Sequence, residues 1–294
     1  MSKLITQMTP TELGTALPDH EGRITALEEI QPGRSATEVG LYDRVLSGWY
    51  QADTNELFTG ITIGPEDVVL DLGCGDGGSL LFCARRGAAV IGIDIDSDAV
   101  EAMKARLEGT PAKSMQFHVG GADPLPLKDE SVTRVICTEV LEHVDDPAAV
   151  MKELVRVGKP GARYLITVPD ALQETLQKEV APDVYFQKPN HIRIFEREQF
   201  AQLVSDAGLV VEHQAFFGFY WSIWFAMFWS CGVDFSDPRH PILDNWAKTW
   251  RAVLDSENGP ALKKKLDAFM PKSHAIVASK PITTVDGNPE GGQA

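Results

Sequence analysis

Short apolar runs alternate with longer amphipathic stretches between residues 68 and 281. The runs are rich in Val and Ile, lack a helical period and therefore predict strands; they cover 68–72, 89–95, 115–120, 133–140, 163–169, 209–214 and 273–281. The stretches that separate them predict helices beginning near Ser79, Ser97, Pro147 and Glu196. This alternation is typical of an α/β protein whose parallel sheet is covered on both faces.

The segments that flank this pattern are different in character. Residues 1–38 are polar, contain several prolines and show no period, so we expect a flexible N-terminal arm. Residues 39–58 carry apolar side chains at roughly helical spacing and predict a leading helix that includes Trp49 and Tyr50. The Gly-rich tail 282–294 is expected to be disordered. The interpretation is a single domain over 39–281.

An aromatic-rich stretch, GFYWSIWFAMFWSCG, runs from Gly218 to Gly232. It opens an insertion, 215–271, between the last two predicted strands, and a second amphipathic stretch follows at 242–254. We expect a helical cap. A membrane span is disfavoured, because the aromatics fill the middle of the stretch and no basic flank follows it. Three interpretations stay open: a packed core, the wall of a substrate pocket, or a surface for membrane contact or dimerisation.

Composition narrows the classes of function. The formal net charge is −15 and the pI about 4.9, which disfavours a protein whose main partner is a nucleic acid backbone. The four cysteines form no C-x-x-C pair, and the N-terminus lacks the pattern of a signal peptide. We therefore expect a reduced, cytoplasmic protein without a zinc knuckle.

A glycine-rich turn follows the first predicted strand. Gly73, Gly75 and Gly78 satisfy G-x-G-x-x-G, and Asp94 ends the second strand, where a carboxylate meets ribose hydroxyls. This pattern alone fits a nicotinamide dehydrogenase equally well. Asp71 precedes the glycines, and Asp123 follows the third strand. Carboxylates at these positions suit a cationic ligand and an adenine amine better than a pyrophosphate.

The segments VLDLGCGDGG, GIDID, GGADPLPLKDESVTRVICTEVLEHV and GKPGARYLITVP resemble the successive motifs of class I S-adenosylmethionine-dependent methyltransferases. The likeness is to small-molecule enzymes of the ubiquinone/menaquinone methyltransferase-like group. It implies a seven-stranded Rossmann-like sheet of order 3-2-1-4-5-7-6 with strand 7 antiparallel. It also implies that S-adenosylmethionine is bound by Asp71, Gly73, Cys74, Gly75, Asp94, Ile95, Ala122, Asp123 and Glu139.

Two segments offer catalytic groups. Glu139, Glu142 and His143 form E-x-x-E-H and share one face if the segment is α-helical. This set is similar to the metal-binding residues of some ubiquinone and small-RNA 2′-O-methyltransferases, although metal-free relatives carry nearly the same stretch. We therefore expect no divalent metal, with these three residues as the candidate ligands if one binds.

The second segment follows the fifth predicted strand. There His191 and Arg193 are candidates to orient or deprotonate an acceptor. The alternative is structural, with His191 capping the next helix and Arg193 pairing with Glu196. The candidate catalytic residues are therefore His143, His191 and Arg193.

The expected function is transfer of a methyl group to a small, apolar or aromatic acceptor, most simply to oxygen. Two alternatives remain, a metal-assisted RNA 2′-O-methyltransferase and a nicotinamide-dependent oxidoreductase. The acceptor and the oligomeric state are not determined by the sequence.

Overall fold

The computed structural model describes residues 36–75, 77–235 and 237–282. The predicted N-terminal arm and C-terminal tail therefore lie almost entirely outside the described residues. Strands β1 to β10 span Trp49–Gln51, Glu56–Phe58, Ile61–Thr62, Val68–Leu72, Ala89–Asp94, Ser114–Val119, Val132–Thr138, Gly158–Pro169, Val210–Phe217 and Ser273–Ser279. Helices α1 to α9 span Ala36–Leu46, Gly78–Ala84, Ser97–Leu107, Pro147–Val157, Ala171–Val180, Arg197–Asp206, Phe219–Cys231, Pro241–Leu254 and Gly259–Phe269.

Seven strands form the main sheet in the order β6-β5-β4-β7-β8-β10-β9. Strands β4 to β8 run parallel to one another, and β10 pairs antiparallel with both β8 and β9. This is the predicted fold class, with β10 as the antiparallel seventh strand. Because β4, β5 and β7 are adjacent and parallel, the loops that follow them meet at one edge of the sheet.

The predicted leading helix over 39–58 is wrong in its second half. Helix α1 ends at Leu46, and Trp49 and Tyr50 lie in β1, which pairs with β2 in a small antiparallel sheet. Gly48 turns the chain with a φ of +96°, a conformation that few residues other than glycine adopt. Trp49 is buried against Phe58 and Phe217. Trp49 and Leu57 continue the helical spacing of the apolar residues only by coincidence, because they lie in β1 and β2.

Helices α7, α8 and α9 connect β9 to β10, so the 215–271 insertion is helical. The buried aromatics of α7 pack with α8 and α1 in one cluster, in which Tyr220 and Trp246 are stacked 6.0 Å apart. Phe228 stacks on Phe235 with 4.1 Å between ring centroids. Among the described residues, no helix combines the length and the apolar character needed to cross a membrane.

A buried ionic cluster attaches this helical layer to α1. The Lys263 ammonium lies 3.4 Å from a carboxylate oxygen of Asp43 and also contacts Asp267. Trp250 donates its indole N–H to Asp43 at 2.8 Å, and Asp267 accepts from the backbone N–H of Phe219 at 2.9 Å. Burial raises the pKa of Asp43 to about 6, against the opposing effect of Lys263. One lysine therefore pairs with carboxylates from two helices.

Candidate active site

The glycine-rich loop between β4 and α2 supplies the cofactor end of the candidate site. Gly73, Gly75 and Gly77 have φ values of +70°, +51° and +81°, so the backbone takes a path that other residues disfavour. The N–H groups of Gly73 and Cys74 donate to the Ile93 carbonyl at 2.8 and 3.3 Å. The loop is thereby tied to the end of β5. Asp71 is buried directly before it.

Asp94 fixes the other side of this loop. One carboxylate oxygen accepts from the N–H of Gly75 at 2.9 Å, and the other accepts from the N–H of Asp96 at 2.9 Å. Each oxygen keeps a second lone pair, so the carboxylate can still accept from ribose hydroxyls. Ile95, the next residue, is 73% exposed although it is a large apolar side chain. These features fit S-adenosylmethionine, whose adenine would cover such a side chain.

The remaining predicted cofactor residues differ in how exposed they are. Ala122 is partly buried and Asp123 is exposed in the loop after β6, near the carboxyl ends of β4 and β5. Cys74 is buried within the glycine-rich loop. Among these, Asp123 is the exposed carboxylate able to accept from an adenine amine. All of them stay predictions for cofactor contact.

Glu139 lies where β7 ends, and it is paired rather than open. Its backbone has a φ of +56°, which is rare for a residue with a side chain. The Lys272 ammonium donates to one carboxylate oxygen, and the Thr167 hydroxyl donates to the other at 3.1 Å. Burial alone raises the pKa of Glu139, but Lys272 outweighs it, and the pKa lies below its usual value. Glu139 is therefore an ionised member of a buried ion pair.

The E-x-x-E-H segment is not α-helical, so the condition under which its three residues share one face is not met. The left-handed backbone of Glu139 ends the strand, and the chain then forms a 3₁₀ turn over Leu141–His143. Glu139 is consequently paired with Lys272 rather than grouped with the other two residues. Gly73 packs against this turn, since a Cβ on that glycine would lie 2.3 Å from Cγ2 of Val140. The cofactor loop and the turn are therefore in direct contact.

Glu142 and His143 meet His191 in a buried polar group. The rings of His143 and His191 lie 4.9 Å apart, edge to face. One ligand atom from each of the three residues lies within 4.8 Å of the others. Both carboxylate oxygens of Glu142 and the Nε2 atoms of both histidines are buried without a hydrogen-bond partner. Buried polar atoms are normally paired, so these four atoms indicate a site for a ligand.

Electrostatics keep this group neutral. Burial raises the pKa of Glu142 well above its usual value, and the charge on Glu139 raises it further. Burial lowers the pKa of His143 to about 4 and that of His191 well below its usual value. Both imidazoles are therefore uncharged at neutral pH, and each has a ring nitrogen whose lone pair can accept a hydrogen bond or bind a metal ion.

Glu174 on α5 is a site residue that no sequence motif indicates. Its carboxylate lies 2.6 Å from Nδ1 of His191, and both side chains are buried. The bond fixes the imidazole so that Nε2 faces the unpartnered group. The sequence around α5 contains no recognisable motif. The contact becomes visible only in the folded structure, where α5 follows β8 and packs beside His191.

Arg193 does not join this group. Its guanidinium donates to the carbonyl of Asp145 at 3.1 Å and lies over the Phe195 ring. The structural alternatives are also wrong, because Glu196 is the N-cap of α6 and Arg193 is not paired with it. His191 bonds to Glu174 rather than capping a helix. The structure therefore brings His143 and His191 together and leaves Arg193 outside.

Residues 70–166 match the family model described as a methyltransferase domain. A probable S-adenosylmethionine-dependent methyltransferase of Mycolicibacterium smegmatis is 28% identical, over 64% of this chain and 65% of that protein. A ubiquinone biosynthesis O-methyltransferase of Hahella chejuensis is 42% identical, over 33% of this chain and 41% of that protein. The chain thus spans less than two thirds of the length of these curated relatives.

A solved structure of the [4+2]-cyclase SpnF has a TM-score of 0.54 and 18% identity, and covers 96% of this chain and 95% of that one. This likeness extends over the helices between β9 and β10 as well as the sheet. At this identity it shows the fold alone. What this chain could methylate therefore depends on the contacts of its own residues.

Proposed function

We propose that this class I S-adenosylmethionine-dependent methyltransferase moves the methyl group of its cofactor to an oxygen atom of a small acceptor molecule. The observation that carries the proposal is the buried group of Glu142, His143 and His191, which contacts the glycine-rich loop through Val140. An O-methyltransferase among the curated relatives supports it. Reactive polar atoms beside a cofactor loop are where an acceptor must be held.

Bound cofactor supplies an electrophilic methyl group on a sulfonium, so the protein has to align the acceptor and exclude water. The glycine-rich loop and Asp94 hold the cofactor from one side. On the other side, the buried turn after β7 provides a water-poor environment. The Glu139–Lys272 pair keeps its charges balanced there, so that no net charge from this pair faces the reacting atoms.

A hydroxyl acceptor loses its proton during the transfer, and His191 is placed to receive it. Burial raises the pKa of Glu174 to about 8, so this carboxyl becomes ionised only as the pH rises through that range. When Glu174 is ionised, Nδ1 of His191 donates to it and Nε2 presents a lone pair. Nε2 lies among the unpartnered atoms of the group. His191 is thus the proposed general base, and Glu174 is the residue that positions it.

A divalent ion bound by Glu142, His143 and His191 is a second candidate for activating the acceptor. The convergence of three ligand atoms within 4.8 Å favours it. Carboxylate and imidazole ligands suit several divalent ions, and such an ion would lower the pKa of an acceptor hydroxyl. Glu139, the third candidate ligand from the sequence, is paired with Lys272 instead.

Removing metal separates the two candidates. If His191 acts as a base, methyl transfer by protein treated with EDTA and then freed of the chelator is expected to equal that of untreated protein. The measurement is transfer of labelled methyl from S-adenosylmethionine to a small-molecule extract, with the product identified by mass spectrometry. Loss of transfer that Mg²⁺ or Mn²⁺ restores would instead establish the metal-assisted route.

Cofactor binding is tested at Asp94. The Asp94→Ala variant is expected to bind S-adenosylhomocysteine about 10- to 100-fold more weakly, because it loses charge-assisted hydrogen bonds to the loop and the ribose. Calorimetric titration measures this, with Asp98→Ala, an exposed carboxylate on α3, as the matched control. Wild-type protein that binds NADH and not S-adenosylhomocysteine would sink the proposed function and favour an oxidoreductase.

A further inference from the structure

Helix α5 buries a row of polar side chains. Gln173, Glu174 and Gln177 are each no more than 1% exposed. Their spacing of one and four residues places them along one side of the helix. Both side-chain polar atoms of Gln173 and Nε2 of Gln177 lack a hydrogen-bond partner. A buried carboxamide is normally paired, so this side of α5 is built to meet groups that the described residues do not supply.

Helix α7 covers this row from the opposite side. The two helices start together, because Asp170 donates its backbone N–H to the Lys272 carbonyl at 3.0 Å and Lys272 donates its own to Phe217 at 2.9 Å. They stay together further along, where the Trp229 indole donates to Gln177. Ser222 lies in the first turn of α7. The hydroxyl of Ser222 is also buried without a partner.

This row is continuous with the proposed reaction centre. Glu174 contacts His191 directly, and the Tyr185 ring lies 4.7 Å from the His191 ring and 5.2 Å from the Trp229 ring. The polar row of α5 and the His191 ring therefore belong to one connected buried region that reaches Trp229 on α7. Packing of the two helices alone does not explain the row, since apolar side chains would fill the space without unpaired polar atoms.

We propose that Gln173, Gln177 and Ser222 form a polar subsite that binds the hydroxyl groups of an uncharged, polyhydroxylated acceptor. The inference rests on the proposed function, because it places the rest of the molecule whose oxygen is methylated. Carboxamide and hydroxyl groups both donate and accept, and so do the hydroxyls of such a ligand. The three side chains carry no charge at any pH, which disfavours an ionic ligand. The proposal adds hydroxyl groups to the small, apolar or aromatic acceptor that the sequence predicts.

The subsite is tested with two probes that differ only in their hydroxyl-rich part, hydroquinone and its mono-β-glucoside. Binding to protein saturated with S-adenosylhomocysteine is measured by saturation-transfer NMR titration. The glucoside is expected to bind at least about tenfold more tightly, since a site built for hydroxyls rejects ligands that lack them. In Gln173→Leu this preference is expected to disappear while affinity for hydroquinone and S-adenosylhomocysteine is kept. Gln202→Leu, at an exposed glutamine on α6, is the matched control.

Thermal stability provides the second readout. The Tm of Gln173→Leu is expected to equal or exceed that of wild type, because the lost carboxamide has no partner in the folded protein. A clear fall in Tm would show that the carboxamide holds the helices together, directly or through a bound water, and would overturn the subsite. Equal binding of the two probes, or a preference that survives in Gln173→Leu, would overturn it as well. If S-adenosylhomocysteine does not bind, the proposed function itself fails; if it binds without a preference between probes, only the subsite fails.

Discussion

The His191→Ala variant is expected to bind S-adenosylhomocysteine as tightly as wild-type protein and to transfer methyl groups about 10²- to 10⁴-fold more slowly, the range that general acid–base catalysis contributes. His191 bonds to Glu174 and packs against the Glu142–His143 turn, and neither contact involves the glycine-rich loop. Its loss therefore acts on the acceptor side. Single-turnover transfer from labelled S-adenosylmethionine, with the acceptor identified from the extract, measures the rate.

Arg193→Ala is the matched control for this prediction. Arg193 lies two positions away and bonds to the Asp145 carbonyl, outside the buried group. We expect its transfer rate to stay within about threefold of wild type. A rate for His191→Ala that is also near wild type would contradict the assignment of His191. A loss that extends to S-adenosylhomocysteine binding would point to a structural role instead.

Fold stability is expected to respond most strongly at Lys263. Lys263→Met is predicted to lower the free energy of unfolding by about 3–5 kcal/mol, the usual cost of removing one partner from a buried ion pair. Lys263 pairs with both Asp43 and Asp267, and all three are buried. Methionine keeps most of the volume, so the effect is electrostatic rather than a cavity. Urea denaturation followed by circular dichroism measures it.

The neighbouring Lys264 is exposed on the same helix, so Lys264→Met controls for the change in helix composition and net charge. We expect that variant to unfold within about 0.5 kcal/mol of wild type. Asp43→Asn combined with Lys263→Met should recover part of the loss, because the double variant removes one of the unpaired carboxylates. A single variant as stable as wild type would mean that the cluster does not attach α1 to α8 and α9.

Local sequence motifs predicted most of the residues on the proposed cofactor side of the site. The glycines, Asp71 and Asp94 are contiguous with strands whose apolar runs are unmistakable, and adjacent parallel strands bring their carboxyl ends to one edge. The order of the strands followed from the resemblance and is confirmed by the pairing. The spacing of apolar residues did not reveal where the chain leaves a regular element. The turn at Gly48, before Trp49, and the turn at Glu139 both have positive φ, and such turns leave no periodic pattern in the sequence.

The residues of the proposed acceptor side are brought together by the tertiary structure. Glu174, Gln173 and Gln177 belong to a helix with no motif, and they matter because that helix packs beneath α7 and beside His191. Lys272 meets Glu139 across 133 positions of the chain, and Lys263 meets Ser47 across 216. Periodicity reports neighbours along a strand or helix, so it fixed the sheet and the loops at its edge. The sequence does not show which distant polar groups are buried together and left without partners. That depends on how the helices between β9 and β10 pack against the rest of the fold, so only the tertiary structure decides it.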